Sequence, residues 1–397
     1  MESPVALYIH IPFCHALCHY CDFSKTANFD STHVHTYFER IKHHLELILP
    51  GLKAPVSSVF FGGGTPGLFA KEYRPIFQVL RRLIADDAEV SLEANPRNCS
   101  HENLAVWGDL GFNRLSIGIQ TFDEAGLKFL TRDHTTYDSE ASIRNSRKYF
   151  KNVNVDLIYG WNGQTESSWE RDLSVVGELG VPHLSLYNLT YEPRTPIGRA
   201  HHRGRLAGAD EVSLLAYYER ARQVLGATGY LHEEVSNWSQ PGFSCRHNWV
   251  YWSGGTFVGI GAGAHGFIDD GTATGFRYAF SKDLRAFLRA PAGVPLENSG
   301  LVHSAFFSQM GAEIDADRDL DSALTEYVGS SLRTAKGVSL QRMAAISLRT
   351  FRPRASLRRG LAEGMLEMDD ERTYLRLKPA EWFRENAWAV EVILSFV

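Results

Sequence analysis

The stretch Val5-Ala-Leu-Tyr-Ile-His-Ile-Pro-Phe-Cys14-His-Ala-Leu-Cys18-His-Tyr-Cys21 carries the reading on which the rest depends. Val5 to Ile11 is a short apolar run with β-branched residues and alternation, the pattern of a strand, and Pro12 opens a loop directly after it. Cys14, Cys18 and Cys21 therefore lie at the C-terminal end of a strand, in the pattern C-x3-C-x2-C. Three thiolates from one loop can bind three irons of a [4Fe–4S] cubane and leave the fourth iron open. An amino acid with a free amine and carboxylate can chelate that vacancy. The competing reading is a zinc site or redox pair on Cys18 and Cys21, but structural zinc wants four ligands and no second C-x2-C exists.

Outward from this loop, strand and helix patterns alternate. Val34, Phe38, Ile41, Leu45 and Ile48 recur at helical spacing behind the caps Asp30 and Ser31. Strand runs follow at Val56 to Phe61, Glu89 to Glu93, Arg114 to Ile119, Asn152 to Tyr159 and His183 to Leu189, with helical patterns such as Trp169, Leu173 and Val176 between them. About six β/α units fit residues 1–195, which predicts an α/β fold built on a partial (β/α)6 barrel with function at the strands' C-terminal ends. Gly62, Gly63, Gly64, Thr65 and Pro66 follow the second strand, and glycines there let backbone groups approach a small ligand closely, although alone they would be a tight turn. Residues 196–290 hold one helix (Leu214, Tyr218, Ala221, Leu225) and glycine- and aromatic-rich segments expected to extend the sheet and cover the barrel mouth. Ala290 to Gly300 is the linker candidate, and 300–397, with a hairpin around Glu367 to Leu377, reads as a small winged-helix-like domain.

The 397 residues are 44% hydrophobic and 22% charged, an ordinary globular composition. A formal net charge of −5 excludes broad attraction to phosphate backbones, so nucleic acid is not an expected partner, and Arg349, Arg352, Arg354, Arg358 and Arg359 read as a solvated face. The start has neither the basic region nor the apolar run of a signal peptide, and no stretch is apolar enough to span a bilayer, so a cytoplasmic address is expected. Five cysteines, three of them clustered and Cys99 and Cys245 alone, read as metal ligands and not as a disulfide framework. His33, His35, His43, His44, His201 and His202 read as solvated.

Tyr8-Ile-His-Ile-Pro-Phe-Cys14, the cysteine spacing and Phe61-Gly-Gly-Gly-Thr-Pro66 resemble one branch of the radical S-adenosylmethionine family. That branch contains the oxygen-independent coproporphyrinogen III oxidases and the HemW-type haem chaperones. Glu93-Ala-Asn-Pro96, Ser116-Ile-Gly-Ile-Gln-Thr-Phe122, Arg132 with His134, and Asn154-Val-Asp-Leu-Ile-Tyr-Gly160 resemble its successive blocks in order. So do His183-Leu-Ser-Leu-Tyr187, Ser236-Asn237, His247-Asn-Trp-Val-Tyr-Trp252 and Gly259-Ile-Gly-Ala-Gly-Ala-His265.

The resemblance implies that Cys14, Cys18 and Cys21 hold the cluster and that Tyr8 and Tyr20 line the S-adenosylmethionine site. It implies that Gly63, Gly64 and Thr65 meet the methionine end, and that Glu93, Gln120, Arg132 and Asp156 contact the same molecule. Phe23 stands where the oxidases carry a further cysteine, and the chain begins seven residues before Tyr8, without the oxidases' N-terminal extension; both differences point to the chaperones. Gly67, where a Ser or Thr is usual, Gly160-Trp-Asn-Gly163 and Glu233 depart from the chaperone pattern.

His247 matches a histidine implicated in haem binding, with Trp249, Tyr251 and Trp252 able to stack on a macrocycle and Cys245 a nearby thiol; a structural histidine in an aromatic cluster is an equal alternative. The expected cofactors are a [4Fe–4S] cluster and S-adenosylmethionine, with haem as a further ligand. The expected partners are haem-accepting proteins and an electron donor such as flavodoxin or ferredoxin. The enzymatic alternative is coproporphyrinogen III oxidation by radical decarboxylation, and a third reading is a binding module working through the winged domain.

Overall fold

Val5–Ile11 forms strand β1, buried except at Val5 and Tyr8, as an apolar run in a parallel sheet covered on both faces should be. The computed structural model describes residues 5–52, 55–291, 293 and 304–395. After β1 come α1 (Ser31–Ile48), β2 (Val56–Gly63), α2 (Arg74–Leu80), β3 (Ile84–Ala94), α3 (His101–Leu110) and β4 (Arg114–Gln120). Then follow α4 (Glu124–Phe129), α5 (Thr136–Ser146), β5 (Asn152–Tyr159), α6 (Glu166–Glu178) and β6 (His183–Asn188). β1 to β6 pair in sequence order, all parallel. The helices bury the faces their periodicity marks: Val34, Phe38, Ile41 and Leu45 on α1, and Trp169, Leu173 and Val176 on α6. Ser100, Thr135 and Thr165 cap α3, α5 and α6 by accepting from backbone N–H groups of the first turn.

The barrel interior is polar. Ser58, Ser91, Arg114, Ser116, Asn154, His183 and Ser185 are all buried. Asn154 Nδ2 donates to Ser116 Oγ (2.7 Å), Ser185 Oγ (3.0 Å) and Asp156 Oδ1 (2.8 Å), and its Oδ1 pairs with His183 Nδ1 at 2.6 Å. Such a lining suits a cavity that admits a polar ligand, where a closed eight-stranded barrel would be filled with branched apolar side chains.

The chain continues with α7 (Pro196–His202), α8 (Glu211–Ala227), β7 (Leu231–Glu234), β8 (Asn237–Ser239), α9 (Arg246–Trp252), β9 (Phe257–Ile260), β10 (His265–Ile268) and β11 (Phe276–Phe280). It then forms α10 (Leu284–Arg289), α11 (Ser304–Gln309) and β12 (Ala312–Ile314). β8 and β7 extend the sheet antiparallel beyond β6, while β9 adds a further parallel strand beside β1 and leads to β10, β11 and β12, giving twelve strands in one sheet among the described residues.

The expectation that this region covers the mouth needs correction. The Gly259–His265 segment does reach the mouth side, where Ala262 N donates to Tyr37 Oη (2.9 Å). The helix with the His247 motif, α9, instead plugs the opposite end: His247 pairs with Ser58 near the start of β2, and Glu89 accepts from the His247 N–H.

The last elements are α12 (Leu320–Leu332), β13 (Val338–Ser339), α13 (Leu340–Ser347), α14 (Ala355–Ala362), β14 (Leu366–Met368), β15 (Tyr374–Leu377) and α15 (Glu385–Ile393). β13, β15 and β14 form a small antiparallel sheet beside the helices, the winged-helix-like arrangement, and the expected hairpin is the β14–β15 pair. This module has its own core, including Leu324, Val328, Met343, Leu357, Leu375 and Trp382. Phe306, Phe307 and Ala312 belong to the first core, so the change of core falls near residue 320 and not at 300. Of the linker candidate, residues 292 and 294–300 lie outside the described residues. Among the described residues no helix is long and apolar enough to cross a membrane.

Candidate cofactor site

The parallel register brings the ends of β1, β2, β3, β4 and β5 to one mouth, and the cysteine loop lies across it. Cys14 is buried, while Cys18 and Cys21 are half-buried, and none is in a disulfide. Thr65 Oγ1 donates to Cys14 Sγ (3.6 Å), Asn95 Nδ2 to Thr65 Oγ1 (3.4 Å), Arg132 Nη2 to Asn95 Oδ1 (2.6 Å) and Arg132 Nη1 to Cys18 Sγ (3.3 Å). These four bonds join loops after β1, β2, β3 and β4 through two of the thiols. A second bond from Arg132 Nη2 to Gly118 O (2.9 Å) fixes the guanidinium.

Burial pushes the Cys14 thiol up to about 11, so it must release its proton to solvent as it takes up a metal. Among the described residues no three His, Cys, Asp or Glu side chains converge as around a single ion. Thiolates that each take a different iron of a cubane do not need to converge in that way.

Next to the thiols lies an acidic cavity. Glu93, from β3, accepts from the Gly63 N–H (3.1 Å), and burial, then the neighbouring Asp156, push its carboxyl up to about 8. Asp156, from β5, is likewise raised by burial despite bonds from Ser116 (3.0 Å) and Asn154. Two carboxyls facing one space hold each other's protons on, and a cation between them would favour both ionised forms. Tyr8 is hydrogen-bonded to His10 Nδ1 (3.0 Å), and its phenol is raised by burial and then by Glu93. Burial raises the Tyr20 phenol too, against the pull of Arg132. Gln120 takes a left-handed backbone (φ 73°), a conformation that costs a non-glycine residue energy and aims its side chain past Gly118.

The glycines divide by role. At Gly64 a Cβ would lie 2.7 Å from Phe13 O and 2.8 Å from Ile11 O, so this glycine is needed for the backbone approach to the cysteine loop. At Gly62 a Cβ would meet Tyr8, Phe60 and, at 3.2 Å, Glu93 Oε2, so Gly62 keeps the cavity open. Gly63 has φ 111° and abuts the His10 ring. At Gly67 a Cβ would fall 2.7 Å from Ala94 Cβ, which accounts for glycine here.

Sequence reasoning gave no role to His10, whose Nε2 donates to Ser24 O (2.8 Å), or to Asn95, which joins Thr65 to Arg132. Asn95 sat inside the quoted block Glu93 to Pro96, and its signal was a short polar residue ahead of proline at a strand's end. His247 is not brought to this site. It is 1% exposed, with Nδ1 on Ser58 Oγ (3.0 Å) and Nε2 on Tyr251 Oη (2.8 Å), stacked on Phe60, and burial holds it neutral down to about 3. With both ring nitrogens engaged in the barrel floor, this geometry favours the structural alternative over an axial haem ligand. Cys245 is equally enclosed, beside Glu89.

Residues 8–176 match the model of the Radical SAM superfamily. The chain is 35% identical over 380 residues to the haem chaperone HemW of Mycobacterium tuberculosis, covering 94% of this chain and 91% of the relative. It is 34% identical to the haem chaperone HemW of Bacillus subtilis, over 67% of this chain and 72% of that one. The fold is similar to that of the coproporphyrinogen III oxidase HemN from Escherichia coli, with a TM-score of 0.74 and 21% identity over 98% of this chain and 90% of that one. The chain belongs to the HemW family within the Radical SAM superfamily, a membership that implies a [4Fe–4S] cluster and S-adenosylmethionine.

Proposed function

We propose that this protein is a haem chaperone that holds a [4Fe–4S] cluster on Cys14, Cys18 and Cys21, binds S-adenosylmethionine in the adjoining acidic cavity, and passes haem to haem-requiring proteins. The observation that carries the cofactor part is the hydrogen-bonded circuit from Cys14 through Thr65, Asn95 and Arg132 to Cys18, which positions the loop against the cavity. The haem part rests on relatedness to chaperones named HemW over nearly the whole chain and on Phe23 in place of the oxidases' extra cysteine.

When bound, the cluster supplies an electron and an open iron for the amine and carboxylate of S-adenosylmethionine. This chain's residues do the placing. Glu93 and Asp156 complement the ligand's positive charge, Tyr8 and Tyr20 line its site, Gly63, Gly64 and Thr65 shape the approach to its methionine end, Gln120 contacts it, and Arg132, beside Cys18, is suited to its carboxylate.

Anaerobic reconstitution should yield close to four irons and four sulfides per chain. Haem should bind with a Soret shift, and coproporphyrinogen III should remain unconverted in the presence of reductant and S-adenosylmethionine. Stoichiometric zinc without acid-labile sulfide defeats the cluster assignment, and formation of protoporphyrinogen establishes the oxidase instead.

A further inference from the structure

We propose that α7 and its flanking loops form the docking face for an acidic one-electron donor protein; this rests on the reading that Cys14, Cys18 and Cys21 hold a redox cluster. Between Tyr191 and Glu211 the chain carries Arg194, Arg199, Arg203 and Arg205 against Glu192, Asp210 and Glu211, in a protein whose formal charge is −5. All four arginines and His202 are exposed. Among the described residues none of these four guanidinium groups is in an ion pair, a state they share with other exposed arginines such as Arg81, Arg82, Arg358 and Arg359, so what distinguishes them is their clustering beside the cysteine loop. Crowded like charges without ion-pair partners weaken the isolated fold and gain their use when an opposite surface approaches.

The bland reading, a solvated helix, accounts for exposure but not for position. Ile197 N, in α7, donates to His19 O (3.3 Å), and His19 N donates to Thr131 Oγ1 (2.9 Å). Tyr20 packs into the small cluster that contains Ile197, with Tyr191 and Leu206 beside it. His19 and Tyr20 are the two residues between Cys18 and Cys21, so α7 packs against the loop segment that carries two of the three thiols. The same loop exposes Leu17 (48%) and Phe23 (68%), large apolar side chains that supply desolvated contact beside the basic rim. A small apolar contact steered by charge is the pattern of transient redox encounters. One electron leaves the donor's reduced carrier and enters the oxidised cluster; no bond forms or breaks and no proton moves.

The test uses cluster-loaded protein under anaerobic conditions with a reduced bacterial flavodoxin as probe. The second-order rate of cluster reduction is followed by the cluster's visible absorbance, and binding by titration calorimetry. The double variant Arg199→Glu/Arg203→Glu should lower the rate at low salt about tenfold or more and weaken binding in parallel, and the salt dependence shown by wild type should be flattened in the variant. Reduction by dithionite and the S-adenosylmethionine-induced change in the cluster's electron paramagnetic resonance should be unaltered, showing that fold and cluster survive. Arg358→Glu/Arg359→Glu, on the winged module, should leave the flavodoxin rate unchanged.

Unchanged rate and binding in the α7 variant, or a loss confined to the α7-distant variant, overturns the proposal, as does a wild-type protein that flavodoxin neither binds nor reduces. Loss of haem binding with an intact flavodoxin rate assigns the patch to haem carboxylates and equally overturns it. Absence of iron and sulfide in the wild type is a different failure, that of the cluster reading itself.

Discussion

Glu93→Gln should make the protein more stable at alkaline pH in the absence of S-adenosylmethionine. The amide keeps the acceptor for the Gly63 N–H (3.1 Å) and removes only the charge. With the folded-state value near 8 against an ordinary 4.5, the native state binds more protons than the unfolded chain across that window. Stability therefore falls as pH rises from about 4.5 to 8 and is flat beyond, the sense expected for a raised carboxyl. At about 1.4 kcal/mol per unit the full gap corresponds to on the order of 4 to 5 kcal/mol. Glu93 is only partly buried, and solvent screening leaves about 2 kcal/mol.

Urea unfolding of cluster-loaded wild type and Glu93→Gln, run anaerobically at pH 6 and pH 9, checks this. Because pH 6 to 8 is only part of the window from 4.5 to 8, the variant should gain about 1 kcal/mol relative to wild type between the two pH values, and S-adenosylmethionine, a cation, should stabilise wild type more than the variant. A wild-type-minus-variant difference that does not move with pH would refute the reasoning, since the cost assigned to the buried charge would then be absent.

Cys18→Ala should abolish the cluster, because two thiolates cannot hold three irons, and iron and sulfide analysis after anaerobic reconstitution reads this directly. Gly64→Ala should cost more than about 1 kcal/mol and lower cluster retention together, because the added methyl meets the Ile11 and Phe13 carbonyls; thermal unfolding with parallel iron assay would show an unaffected variant if the close approach were unimportant. His247→Ala should lower stability by about 2 kcal/mol, leaving Ser58 and Tyr251 without their buried partner, while the Soret band of added haem stays as in wild type; a shifted Soret band at unchanged stability would restore the histidine as haem ligand.

Much of this protein is legible locally. The apolar run Val5 to Ile11, the cysteines at its end and the alternation of period-2 and period-3.6 patterns to residue 188 follow from which residues are next to one another in the chain, and the parallel sheet with its mouth at the cysteine loop follows from that alternation. Cysteine spacing likewise announces its chemistry, since three ligands on one loop need no tertiary contact to be recognised. Three other features were beyond reach because each depends on residues distant in the chain.

His247 reads as a ligand or as a core residue until the fold places Ser58, 189 positions earlier, and Tyr251 on its two nitrogens; burial and pairing, which decide between the readings, are tertiary quantities. Asn95 joins Thr65 to Arg132 only because parallel register sets the ends of β2, β3 and β4 side by side, and the arginines of α7 acquire their meaning only where Ile197 meets His19. Residue type and spacing determined what chemistry this chain carries; the register of its sheet determined which of those groups share a cavity, because distance in space, and not in sequence, governs hydrogen bonding and charge.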